Sequence, residues 1–209
     1  MLSAARAGGA RQGDDRSREG GWSREVDGSR PGALLIVLES DRLRLRWLNT
    51  DDAPFIVELL NDPGWLEFIG DKGVRTVEDA RNYIEKGPAA SYAEFGFGLN
   101  LTELKESGTP IGICGLIQRD VLEDVDVGFA ILPQYRGQGY AREATAAVIA
   151  HGHTAFGLTR IVAITTPDNI NSIRVLEKVG LRFERRIRLS ADDIELNLYS
   201  PDLAPQGDG

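Results

Sequence analysis

Apolar and polar residues alternate strictly from Arg42 to Trp47. Leu43, Leu45 and Trp47 fall on one side and Arg42, Arg44 and Arg46 on the other, the period of a half-buried strand. The period then lengthens. Phe55, Ile56, Leu59 and Leu60 share one face of a helix that Thr50 opens, with Asp51 and Asp52 in its first turn, and that residues 61–64 end. Thr76, with Asp79 three residues on, opens a second helix, which Gly87 and Pro88 close. Residues 92–101, 110–117 and 125–132 read as three strands close enough in sequence for an antiparallel meander. An Ala-rich helix over 140–156 and a strand over 160–165 complete a strand, helix, strand crossover. A helix over 169–178 and strands over 182–189 and 194–199 follow. The expected fold class is α+β, a mixed, mostly antiparallel seven-stranded sheet with one β-α-β crossover and flanking helices.

The pattern is absent at both ends. Before Leu34 there is almost no apolar material, so burial there could not offset the entropy of ordering, and residues 1–36 are expected to be a disordered Gly/Arg-rich tail. Its six arginines stand beside five acidic residues, which argues against an organelle transit peptide. One domain is expected over 37–201, with a short tail over 202–209.

Composition narrows the class of partner. Of the 209 residues 42% are hydrophobic, enough for one substantial core, yet no stretch approaches the run of about 18 apolar residues that a membrane helix needs. A soluble, cytoplasmic protein is expected, monomer or homodimer, with no membrane partner. The net charge of −8 has the wrong sign for neutralising phosphate backbones, so nucleic acid is not an expected partner. Acidity would favour approach by cationic amines, and it also has the plain reading of solubility. Cys114 sits in an apolar strand and reads as core. His151 and His153 are two residues apart and cannot share a helix face, so no metal site is expected.

The most informative segment joins the end of a strand to the start of a helix. In Gln134-Tyr135-Arg136-Gly137-Gln138-Gly139-Tyr140-Ala141, two glycines one residue apart leave backbone N–H groups unobstructed at a helix N-terminus. The helix dipole adds positive potential there, and Arg136 and Arg142 strengthen it, which makes a seat for a phosphate or pyrophosphate. No Gly-Lys-Ser/Thr follows, as a Walker loop requires, and Arg142 stands where a dinucleotide fingerprint needs its third glycine. Taken alone, the turn is equally compatible with a structural glycine turn before an amphipathic helix.

Gln134, Gly137 and Gly139 resemble the coenzyme A loop of the GNAT superfamily of acetyltransferases, whose signature is Gln or Arg, two residues, Gly, one residue, then Gly or Ala. A second stretch, from Asn169 and Ser172 through Glu177-Lys178-Val179-Gly180-Leu181, is similar to the family's next motif, with Leu181 in place of its final aromatic. The opening Glu39-Ser40-Asp41-Arg42-Leu43-Arg44-Leu45-Arg46 resembles the ribosomal-protein N-terminal-alanine acetyltransferase branch. The resemblance spans residues 38–199 and implies a GNAT-type sheet, acetyl-CoA as co-substrate, no metal, and an amine acceptor that is either a small molecule or a protein N-terminus.

It also implies roles for residues. The strand ending at Ile131 and Leu132 would splay from its neighbour and meet the pantetheine arm. The backbone of Arg136, Gly137, Gln138, Gly139, Tyr140 and Ala141 would hold the pyrophosphate, and Asn169 the pantetheine. Alternation puts Val125, Val127 and Phe129 on one face of their strand and Asp124, Asp126 and Gly128 on the other. Many relatives carry a Glu two residues before the equivalent of Gly128, and Asp126 takes that place. It is the candidate base, with the alternative that it only orients the amine or is solvated; Asp193 and Glu195 are in reserve. The tyrosine that many relatives use as acid is replaced by Leu176, so Ser172 becomes the candidate donor to the coenzyme sulfur. Asn169 and Ser172 also suit simple helix capping. The competing reading is a non-catalytic module that binds or senses acyl-CoA.

Overall fold

The computed structural model describes residues 35–190 and 193–202. Strand β1 (Ile36–Glu39) turns into β2 (Leu43–Trp47), and α1 (Ala53–Leu60), α2 (Pro63–Phe68), α3 (Val77–Ile84) and α4 (Ala90–Phe95) follow. Next come β3 (Leu99–Leu104), β4 (Pro110–Ile117), β5 (Val125–Ile131), α5 (Tyr140–Phe156), β6 (Ile161–Thr165), α6 (Ile170–Lys178), β7 (Leu181–Ile187) and β8 (Leu196–Pro201). The strands lie side by side in the order β1-β2-β3-β4-β5-β6-β8-β7. Every neighbouring pair is antiparallel except β5 and β6, which the α5 crossover makes parallel.

The sheet has eight strands where seven are expected. The added one is β1, four residues at the edge with Ile36 half exposed, too short and too one-sided to show a period. The expectations for residues 1–34 and 203–209 lie outside the described residues.

A second difference falls between residues 85 and 104. The aromatic run expected as a strand over 92–101 begins as helix α4, and β3 starts only at Leu99. Tyr92 turns inward, stacks on Trp47 with ring centroids 4.6 Å apart, donates its hydroxyl to the Leu99 carbonyl and accepts from the Leu48 N–H at 3.1 Å. Nor does Pro88 end the preceding helix. Glu85–Ala89 form one turn of π-helix, whose wider winding accommodates a ring that lacks an N–H. The capping box of α3 forms as expected: Thr76 Oγ1 accepts from the Asp79 N–H at 3.1 Å, and Asp79 Oδ2 accepts from the Thr76 N–H at 2.9 Å. Ahead of α1, Thr50 caps nothing: it lies in a 3-10 turn over Thr50–Asp52 that Asn49 caps, and α1 starts from Asp52 without a side-chain cap of its own.

Each face of the sheet has its own core. Leu43, Leu45, Val127, Val148 and Leu176 pack beneath α5 and α6, while Ile56, Leu59, Trp65, Leu101 and Ile113 pack beneath α1, α2 and α3. Of the three arginines of the β2 alternation, only Arg46 is buried beneath the helices; Arg44 is partly exposed and pairs with Glu39. Arg46, 5% exposed, pairs with Glu103 and Asp52, both equally hidden.

Candidate active site

Strands β5 and β6 run together for two residues only, Val125 beside Ile161 and Asp126 beside Val162. Beyond them β6 pairs with β8 through Ala163, Ile164 and Thr165, whereas β5 continues to Ile131 with only β4 for a partner. The sheet opens there into a wedge. Because the Leu132 N–H bonds to Ile111 on β4, the alternation of a ladder turns the backbone groups of Phe129 and Ile131 the other way, into the wedge. Thr166 Oγ1 and Asn197 Oδ1, both buried, have no hydrogen-bond partner among the described residues and belong to the β6–β8 side.

The open edge leads into the glycine turn. Pro133–Tyr135 make one turn of 3-10 helix, and Gly137 and Gly139 then take φ of +75° and +86°, a region costly for any residue with a Cβ. Gly139 is the N-cap of α5 and no side chain caps that helix. Its first turn closes by Glu143 N–H to the Gly139 carbonyl at 3.0 Å. The N–H groups of Tyr140, Ala141 and Arg142 thus stand ahead of the first helical bond, at the positive end of a 17-residue helix. Gln134, Gly137 and Gln138 are exposed, and the Gln138 side chain bonds to the Gln134 carbonyl at 3.1 Å. Arg136 behaves otherwise. Its Nε donates to the Ile131 carbonyl at 2.8 Å and its other end to Asp62, so the guanidinium braces the turn through groups of the protein itself.

Asp126 lies on the opposite sheet face from Val125 and Val127, as the alternation requires, and is 1% exposed. Arg119, just past β4, reaches it with Nε to Oδ1 at 2.8 Å. Burial pushes the Asp126 carboxyl above its ordinary range, and Arg119 pulls the other way without cancelling the shift. At the start of α6, Asn169 Oδ1 accepts from the Ser172 N–H at 3.0 Å. Asn169 is thus a helix cap, and the half-buried Ser172 hydroxyl has no protein partner among the described residues. Asp193 is exposed, and Glu195 is half-buried and paired with Arg186 at 2.7 Å. Leu176 is buried core.

The partners Arg119, Asp62, Arg42 and Glu143 are not singled out by sequence patterns. Arg119 carries only the faint signal of a cation just past a strand whose neighbour holds an inward acid. Arg42 and Glu143 are 101 residues apart, with no local pattern linking them.

Comparison with known proteins agrees with this architecture. The acetyltransferase (GNAT) domain family matches residues 42–182, and the chain belongs to that family, as an acyltransferase. Among individual relatives, the uncharacterized N-acetyltransferase YoaA of Bacillus subtilis is 30% identical over 173 residues, covering 80% of this chain and 97% of its own. A GNAT-family acetyltransferase from Bacillus anthracis superposes with a TM-score of 0.65 at 25% identity, over 78% of this chain and 96% of that one. The ribosomal L7/L12 alpha-N-protein acetyltransferase RimL, in complex with coenzyme A, shares the fold with a TM-score of 0.66 at 18% identity, over 79% and 96% of the two chains.

Proposed function

We propose that the protein moves an acetyl group directly from acetyl-CoA to a primary amine, either a protein α-amino terminus or a small-molecule amine. The observation that carries this reading is the continuity of the β5 edge with the uncapped start of α5. An extended arm with amides can pair along the open edge, and a pyrophosphate at its end meets free N–H groups. RimL, crystallised with coenzyme A and named for an α-N-protein substrate, supports the donor and favours the N-terminal acceptor.

In this reading a neutral amine forms the new C–N bond as the C–S bond breaks. The amine proton passes to Asp126, directly or through a water, and Ser172 donates a hydrogen bond to the departing sulfur. Asn169 flanks the arm while capping α6. Incubation with acetyl-CoA and a panel of peptides and small amines, with free thiol measured, tests the proposal. Release of CoA together with an acetylated amine is expected. A folded protein that binds coenzyme A and acetylates nothing on the panel counts against it.

One observation favours a second reading, a module that binds acyl-CoA without turnover. Asp126 is closed off by burial and by Arg119. That reading expects tight acetyl-CoA binding, and any acetylation to be unchanged by Asp126→Ala.

A further inference from the structure

Arg42, in the turn between β1 and β2, reaches the glycine turn from 96 residues away, and its NH1 donates to the Gln138 carbonyl at 3.0 Å. The same guanidinium lies 4.4 Å from the centroid of the Tyr140 ring. Glu143 holds it there. Glu143 Oε2 accepts from Arg42 Nε at 2.7 Å, and its Oε1 accepts from the Arg42 backbone N–H at 2.8 Å and the Ser40 hydroxyl at 2.7 Å. Burial works to raise the Glu143 carboxyl, but these donors outweigh it and hold it below the ordinary range, so it stays ionised at neutral pH. The Arg42 side chain is nearly half exposed. An ion pair in that setting contributes little to stability, which leaves its many-sided anchoring unexplained by folding alone.

A peptide group is planar and trans, so its C=O and N–H point in opposite directions. Drawing the Gln138 carbonyl onto Arg42 turns the Gly139 N–H away from Arg42, to the exposed side of the turn. Gly139, at φ +86°, has no Cβ to resist this. Were the peptide to flip, a carbonyl oxygen would face an incoming phosphate and repel it.

We infer that Arg42 and Glu143 form a positioning pair for the coenzyme seat, fixing the Gln138–Gly139 peptide so that the turn offers N–H groups and no carbonyl to the pyrophosphate. This rests on the coenzyme A reading above. The pair acts through the backbone and does not itself supply the charge that holds the phosphate.

The test measures the dissociation constants of CoA and of dephospho-CoA for the full chain and for Arg42→Gln, Glu143→Gln, the double variant and Arg42→Lys, each checked for folding by circular dichroism. Misdirecting one charge-assisted hydrogen bond corresponds to about a tenfold loss of affinity. Arg42→Gln and Glu143→Gln should each show it, for both ligands, and the double variant should be no worse than either, as coupled residues require. Arg42→Lys, which keeps the charge but not the fork, should recover only part. In turnover the loss should appear in the KM for acetyl-CoA, with kcat regained at saturating donor. Unchanged affinity in a folded Arg42→Gln overturns the inference. So does a Glu143→Gln variant that binds CoA as well as or better than wild type, since a freed arginine would then be acting by its charge. A loss seen with CoA but not with dephospho-CoA also overturns it, by assigning Arg42 to the 3′-phosphate. A wild-type chain that binds no CoA overturns the reading of the site and the inference with it; a wild type that binds, with variants that match it, overturns the inference alone.

Discussion

Asp126 and Arg119 meet at the closed end of the wedge, where β5 last pairs with β6, Oδ1 to Nε at 2.8 Å, with the acid almost wholly buried and the guanidinium about one-third exposed. The pair sets a tension between a charge that wants water and a partner that supplies only part of what water would. For a base the outcome matters directly, because only the carboxylate form accepts a proton.

As a base, Asp126 should give kcat/KM an acid limb above the ordinary carboxylate range near pH 4, in the direction of its raised value. Arg119→Gln removes the group opposing the shift and should move the limb to higher pH. The stability effect has the opposite sense to that of a salt-bridged surface acid. Since the folded carboxyl titrates above its unfolded value, its contribution is full below the unfolded value and is lost as pH rises through the folded one. Asp126→Asn should flatten both dependences. A pH–rate profile unchanged by Asp126→Asn removes Asp126 from the role of base.

Arg46 is the only cation in contact with Asp52 and Glu103 among the described residues, with Nε 2.8 Å from Glu103 and its two terminal nitrogens 2.8 and 2.7 Å from Asp52. Arg46→Met strands two carboxylates under the helices and should cost about 3–5 kcal/mol. Urea unfolding measures this; a small penalty is the contrary result.

Tyr92→Phe keeps the stack on Trp47 but leaves the Leu48 N–H and the Leu99 carbonyl without their partner. A loss of about 1–3 kcal/mol is expected, as for any buried backbone group deprived of its hydrogen bond. Thermal unfolding reads it, and coenzyme affinity should not move with it.

Gly137 and Gly139 separate two effects. A Cβ on Gly137 meets nothing within 4 Å, so Gly137→Ala should cost only the left-handed backbone, about 1–2 kcal/mol. A Cβ on Gly139 comes 3.4 Å from Arg42 NH2. Gly139→Ala should therefore add weaker CoA binding to a similar stability loss, and equal CoA affinity in the two variants would contradict that.

Local patterns carry a large part of this protein. The alternation at β5 is enough to divide Val125 and Val127 from Asp126, and the clusters on the two sheet faces respect that division. The glycine turn is equally legible, because a φ near +80° at the head of a helix is a demand on one residue and is met by one residue type. The segment around Tyr92 is not. Aromatic residues suit strand and helix alike, and the choice falls to the stack on Trp47 and the hydroxyl between Leu48 and Leu99, contacts made 7 to 45 residues away. Pro88 misleads for a similar reason: one proline stops a regular helix, but a π turn lets the chain pass.

By itself the sequence determines the sidedness of the strands, most of the order of the elements and the two glycines of positive φ ahead of α5, since each follows from periodicity or from the steric needs of single residues. The tertiary structure alone decides which groups are left free. It opens β5 from β6 after two paired residues, commits Arg136 to Ile131 and Asp62, closes Arg119 over Asp126, and brings Arg42 onto the Gln138 carbonyl. A hydrogen bond or an ion pair depends on distance in space, and sequence separation does not encode it until the sheet has closed.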